Sequence, residues 1–304
     1  MKKLIVCLLL SVFVAGLTAQ TDEKAVLLDE NLGVVFSGGG ALGLAHIGAI
    51  KALEEYGIEP KYVAGTSMGA IIGVMYAAGY SADEIMEIVK EKRLYKVGHL
   101  ITLQSALRNN GMSTQKTLLG ELQEFVSHNS FDSLERRFMV CVTNVETGNP
   151  NYRYSGGNLI DFVAASASIP AVFEPIVIDS VRYVDGGTTD NLPVKALRTQ
   201  FGRPWMKIIA IDALPFIENY HAENSIDMAR WSLRLVQHKN AEPNRVSADF
   251  LIDCWALIEY HEFDFKRYKE LYQYLLKKAT ELAQKQSAIR EWLKSSDYCA
   301  FVAN

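Results

Sequence analysis

Residues 33–69 read GVVFSGGGALGLAHIGAIKALEEYGIEPKYVAGTSMG, and their pattern sets the fold. Gly33-Val-Val-Phe-Ser37 is a short apolar run that stops at three glycines, the mark of a buried strand entering a tight turn. Residues 41–56 then carry Leu44, Ile47, Ile50, Ala52 and Leu53 at helical spacing, closed by Gly57. Lys61-Tyr-Val-Ala64 is a second short strand, ended by Gly65. Residues 68–79 are apolar nearly all round, including Met68, Ala70, Ile71, Ile72, Val74, Met75 and Tyr76, which predicts an interior helix. Strand, helix, strand and helix in so few residues form a βαβ unit with parallel strands.

Two glycine motifs compete within this unit. Gly38, Gly40 and Gly43 satisfy G-x-G-x-x-G between a strand and a helix, a dinucleotide-binding pattern. That reading needs an acidic residue at the end of the next strand. The chain instead has Gly65-Thr-Ser67-Met-Gly69 there, and Glu59 lies before the strand. Gly65-Thr-Ser-Met-Gly69 is G-x-S-x-G, which in a strand-to-helix turn makes a nucleophile elbow. The plain alternative is a glycine-flanked helix start. The preceding strand and following buried helix favour the elbow, with Ser67 at the positive end of the helix dipole. A right-handed crossover brings the two strand ends together, setting Gly38-Gly39-Gly40 beside Ser67. Glycine backbone N–H groups can approach a substrate closely and hold the oxyanion formed when Ser67 attacks a carbonyl. One such donor contributes about 3–4 kcal/mol to the transition state.

Outward from this unit, residues 81–130 are helical and mixed in polarity. Residues 137–145 predict a strand followed by a turn at Thr147-Gly-Asn-Pro150. Ile176-Val-Ile-Asp179 and Val181-Arg-Tyr-Val184 predict paired strands around a turn at Asp179-Ser180. Residues 207–211 and 248–252 predict further strands, and residues 265–293 a long amphipathic helix with Tyr268, Leu271, Leu275 and Leu282 on one stripe. No repeat or linker divides the chain, so residues 20–304 are expected to form one α/β domain.

The N-terminus stands apart. Lys2 and Lys3 precede an apolar run from Leu4 to Val14, followed by small residues up to Ala19 and the polar stretch Gln20–Lys24. This predicts a secretory signal peptide over residues 1–19 and an exported protein, periplasmic or extracellular. Cleavage removes two lysines, and the net charge of −4 becomes −6. The 304 residues contain 49% hydrophobic and 22% charged residues, which excludes collagen-like and disordered classes. An acidic chain without a long basic run is a poor nucleic-acid binder. Four cysteines are too few for a disulfide scaffold, and Cys141, in an apolar run, reads as a buried thiol.

The activating group is less evident. Of six histidines, His221, His238 and His261 follow the chain order of a Ser-acid-His triad, and His46 sits in the helix after the glycine turn. None has a strand-to-glycine context. Asp185 does, between Val181-Arg-Tyr-Val184 and Gly186-Gly187. A carboxylate there can take the serine proton and return it to the leaving group, and burial would strengthen it as a base. An ordinary Asp-Gly turn fits the same residues, and the residues alone leave both readings open.

With these motifs together, the chain resembles the patatin-like phospholipase family. The resemblance rests on Ser37-Gly-Gly-Gly-Ala-Leu-Gly43, Gly65-Thr-Ser-Met-Gly69, Ala165-Ser-Ala-Ser-Ile-Pro170 and Asp185-Gly-Gly187, in this order. It implies a three-layer α/β/α sandwich around a mainly parallel central sheet. It implies Ser67 as nucleophile, Asp185 as base without histidine, and Gly38, Gly39 and Gly40 as oxyanion donors. Gly65, Gly69, Gly186 and Gly187 support the turns. The implied reaction is acyl-ester hydrolysis, typically of phospholipids, through an acyl-serine intermediate, with no metal or cofactor. Leu42 departs from the Arg or Lys usual in that family, which shifts the expected substrate toward neutral acyl esters. Basic and apolar residues over 85–107 suggest a cap or a peripheral membrane contact, against an ordinary solvated helix face. The alternatives to a lipid acyl hydrolase are a small-ester serine esterase with a histidine triad and a catalytically weak lipid-binding protein.

Overall fold

The computed structural model describes residues 28–91, 120, 122–126, 128–214, 216, 220–253 and 267–285. The predicted βαβ unit is present. Strand β1 (Asp29–Phe36) leads through a 3-10 turn (Gly40–Ala45) into helix α1 (His46–Glu55), then β2 (Pro60–Thr66) and α2 (Met68–Ala77). The chain continues with α3 (Ala82–Glu91), β3 (Arg137–Asn144), β4 (Pro150–Arg153), α4 (Leu159–Ser166), β5 (Ile176–Ile178) and β6 (Val181–Asp185). It ends with α5 (Val194–Gln200), β7 (Lys207–Asp212), α6 (Ser225–Arg245), β8 (Phe250–Asp253) and α7 (Tyr268–Lys285). The signal-peptide segment, most of residues 85–107, and His99 and His261 lie outside the described residues.

Among the described residues the sheet has eight strands, in the order β5-β6-β3-β2-β1-β7-β8 with β4 paired to β3. It matches the expected mainly parallel sheet and carries an antiparallel side. The five strands β3-β2-β1-β7-β8 are parallel, while β4, β5 and β6 add three antiparallel pairings at one side. The β5–β6 pair is the expected hairpin around Asp179-Ser180. Asp179 and Ser180 both take positive φ, 49° and 65°, as a tight two-residue hairpin turn requires.

Alternation along the central strands divides the core into two layers. Val34, Phe36, Val63, Phe138 and Val140 face α1, α2, α3, α4 and α7. Val35, Ala64, Met139, Ile208 and Ala210 face α5 and Ala241 of α6. Helices on both sheet faces make the expected α/β/α sandwich. Helix α2 is buried nearly all round, as its apolar sequence predicts. Helix α3 buries Ala82, Ile85, Met86 and Val89, the stripe of an ordinary packed helix. Among the described residues no helix is long and apolar enough to cross a membrane.

Candidate active site

Strand register sets the site. Phe36 lies beside Gly65 on one side and Ile211 on the other, so β1 and β2 end level with each other. The glycine loop and the serine turn therefore leave the sheet side by side. Thr66 lies beside Cys141, and the next residue of β3, Val142, faces Asp185. The antiparallel β6 thus delivers its last residue to the level of the serine turn.

Ser67 caps α2 with φ 54° and ψ −124°, a conformation unfavourable for an L-residue and characteristic of a nucleophile elbow. The flanking glycines are required by space. A Cβ on Gly65 would lie 2.3 Å from Gly69 O, and one on Gly69 would lie 2.4 Å from Phe36 O. The Ser67 N–H donates to Ser166 Oγ at 2.9 Å, and that hydroxyl donates to Cys141 O at 2.6 Å. Two residues on, Ser168 O accepts the Asp185 N–H at 2.9 Å. The Ala165-Ser-Ala-Ser motif thereby braces both the serine turn and the carboxylate strand.

The glycine loop is held from several directions. Ala213 N–H donates to Ser37 Oγ at 2.8 Å, and Ser37 Oγ donates to Gly38 O at 3.0 Å. His46 Nε2 donates to Ser37 O at 2.9 Å. A Cβ on Gly38 would sit 3.1 Å from Ser67 Cβ, so the loop does lie against the serine. The Gly38 N–H donates to Asn191 O at 3.2 Å. Among the described residues no acceptor engages the N–H of Gly39 or Gly40, which open the helical segment toward α1. Leu42 is fully buried in the core, so its side chain meets the interior and not a ligand.

Asp185 is 1% exposed. Its Oδ1 accepts the Gly187 N–H at 2.7 Å, while Oδ2 is buried without a hydrogen-bond partner. Burial pushes the carboxyl up to about 7. The Ser67 hydroxyl, which acts on it without reaching full hydrogen-bond geometry, and the Gly187 N–H pull in the opposite direction. A Cβ on Gly186 would lie 2.2 Å from Cys141 O, so the loop after Asp185 rests directly on β3.

The histidines are engaged elsewhere. His46 is fully buried, its pKa lowered to about 4 by burial, and it serves the backbone of Ser37. His238 pairs with Arg245 and lies tilted against the Phe216 ring. His128 and His221 are exposed. Sequence reasoning missed the contribution of α6. Its Asn240 holds Gly187 O and the Asn191 N–H, and Asn244 holds Asp190 Oδ1 and the Lys195 N–H. Two asparagines four apart on one helix face look in sequence like a solvated surface and gave no signal of this role. Asp190, pushed up to about 6 mainly by burial, ties the same loop to Tyr152.

A strained serine, a wholly buried carboxyl and a glycine loop meet at one sheet edge, and the same segment matches a known family. The family model described as patatin-like phospholipase matches residues 34–198, more than half of the chain. The chain belongs to the patatin-like phospholipase family. Among its relatives is a lysophospholipase NTE1 of Kluyveromyces lactis, 35% identical over 179 residues, which are 58% of this chain and 12% of that protein. Another is the lysophospholipase NTE1 of Meyerozyma guilliermondii, 28% identical over 189 residues, 62% of this chain and 13% of that protein. The chain thus spans a small part of the relatives it matches. The structure of VipD from Legionella pneumophila is similar with a TM-score of 0.43 and 15% identity, covering 81% of this chain and 67% of that one. The mixed sheet between two helical layers is the patatin-like fold of the family.

Proposed function

We propose that the protein is a lipid acyl hydrolase working through a Ser67–Asp185 dyad. The observation that carries this reading is the buried Asp185 carboxyl, raised to about 7 beside the strained Ser67. Asp185 takes the Ser67 proton as the serine oxygen attacks the ester carbonyl. The tetrahedral oxyanion is received by the N–H groups of Gly39 and Gly40. Gly38 joins them only by leaving Asn191 O. Collapse breaks the bond to the alcohol, which leaves with the proton from Asp185. Water, deprotonated by Asp185, then hydrolyses the acyl-serine.

Family membership and the lysophospholipase relatives support a phospholipid or single-chain phospholipid substrate. Leu42, buried in the core, leaves this position without the cation usual in the family, which favours neutral esters. Rates on phospholipid, lysophospholipid and neutral glyceride vesicles decide among them. A fluorophosphonate probe tests the chemistry. It should label Ser67, and an unlabelled, folded protein would overturn the enzyme reading. We further propose that residues 1–19 direct export. N-terminal sequencing of the exported protein should begin at Gln20, and an intact Met1 in that fraction would refute cleavage.

A further inference from the structure

Asn191 is wholly buried at the end of the loop that begins with Asp185-Gly186-Gly187. Its side chain reaches across 153 positions of sequence to the glycine loop, where Nδ2 donates to Gly38 O at 3.3 Å. Its own carbonyl accepts the Gly38 N–H at 3.2 Å. One asparagine therefore grips Gly38 at both its N–H and its C=O. Asn191 is held in turn from α6, where Asn240 Oδ1 accepts its N–H at 2.9 Å. Asn240 Nδ2 then donates to Gly187 O at 2.8 Å, which closes a circuit through the Asp185 loop.

The consequence follows from peptide geometry. Gly38 C=O and Gly39 N–H belong to one planar trans peptide and point in opposite directions. Holding Gly38 O toward Asn191 therefore aims the Gly39 N–H the other way. Ser37 Oγ, from the adjacent residue, also donates to Gly38 O, so Asn191 is the long-range one of two holds that keep this easily rotated glycine peptide from turning over. A turned peptide would present a carbonyl oxygen to the developing oxyanion instead of a donor. The packing is equally specific. A Cβ on Gly38 would lie 2.4 Å from Asn191 Oδ1, and one on Gly187 would lie 2.7 Å from the same atom. Asn191 Oδ1 itself is buried without a hydrogen-bond partner, wedged between the two loops. A buried unpaired amide oxygen is costly, and such groups persist where placement matters.

We infer that Asn191 is the positioning residue of the oxyanion loop, fixing the Gly38–Gly39 peptide so that the Gly39 N–H faces Ser67. This rests on the hydrolase reading above. The test uses the folded protein and a soluble p-nitrophenyl ester. Asn191→Ala lowers kcat about 100-fold, as loss of one oxyanion donor does, with KM within about threefold. Its pH midpoint stays with that of the wild type, because Asp185 keeps its surroundings. Affinity for a trifluoromethyl ketone, whose adduct with Ser67 carries an oxyanion, falls in parallel. Asn240→Ala, at a half-buried position, gives the same signature at about 10-fold, and it serves if Asn191→Ala does not fold. A kcat within about twofold of wild type, a loss carried by KM, or a displaced pH midpoint overturns the inference. If the wild type labels with fluorophosphonate and Asn191→Ala labels at the same rate, the positioning role alone falls. If the folded wild type does not label, the hydrolase reading falls and takes this inference with it.

Discussion

The parallel half of the sheet and its antiparallel side contribute to the site in different ways. The parallel half supplies Ser67 and the glycine loop from β1 and β2, strands that are neighbours in sequence and in space. The antiparallel side supplies Asp185 from β6, through a hairpin and a register against β3. The first arrangement follows from one right-handed crossover. The second depends on how far β6 advances along β3, since Asp185 must stop opposite Val142 to meet the serine turn. The serine side is a local construction and the carboxylate side a tertiary one.

Substitutions on the two sides break or sharpen this contrast. The largest effect is expected at the base. Asp185→Asn should lower kcat about 10⁴-fold in an ester assay while the far-ultraviolet circular dichroism is unchanged. With Asp185 as the proposed ionised base, wild-type kcat/KM should rise with pH through a midpoint near 7. Retained turnover in Asp185→Asn would move the base to another residue.

The same variant reads out stability. The folded carboxyl is raised from 3.8 to about 7, so its stabilising form is the neutral one. That contribution is complete below the unfolded pKa and is lost as pH rises through about 7. Asp185→Asn should therefore match wild type in denaturant unfolding at pH 4 and exceed it by about 4 kcal/mol at pH 8. An equal gain at both pH values would contradict the buried, raised carboxyl.

On the serine side, Gly38→Ala places a methyl group against Asn191 Oδ1 and Ser67 Cβ. It should cost about 10²-fold in kcat/KM, measured beside Ser67 labelling. Ser166→Ala removes the acceptor of the Ser67 N–H but no reacting atom. A loss of about 10-fold is expected, with the pH midpoint unmoved. The smallest effect lies furthest from the chemistry. Ser180→Gly relieves a positive φ in the β5–β6 turn and should stabilise the protein by roughly 0.5–1 kcal/mol in thermal unfolding, with kcat unchanged.

These sites also mark how far the residues themselves could be read. Gly65 and Gly69 announce the serine turn because their own spacing carries the steric requirement. The Asp179-Ser180 hairpin is equally visible, since short β runs flank a polar pair. Helix α6 is not. Its asparagines look like solvated surface residues, yet Asn240 and Asn244 are spent on the loop from Gly187 to Lys195. His46 shows the reverse case. It has the right residue type for a base, but burial and the Ser37 carbonyl make it a neutral brace. The pairing of β6 with β3 is a long-range contact that no local pattern encodes.

By itself, the sequence determined the βαβ unit, the serine elbow and the glycine loop, because each depends on residues a few positions apart, and membership of the family, because its motifs recur in order along the chain. The residues alone left Asp185 balanced between a turn and a base. Only the tertiary structure set its surroundings, burying the carboxyl level with Ser67 and raising its proton affinity. Desolvation depends on everything packed around a group, and for Asp185 that means β3, α4 and the loop braced by α6.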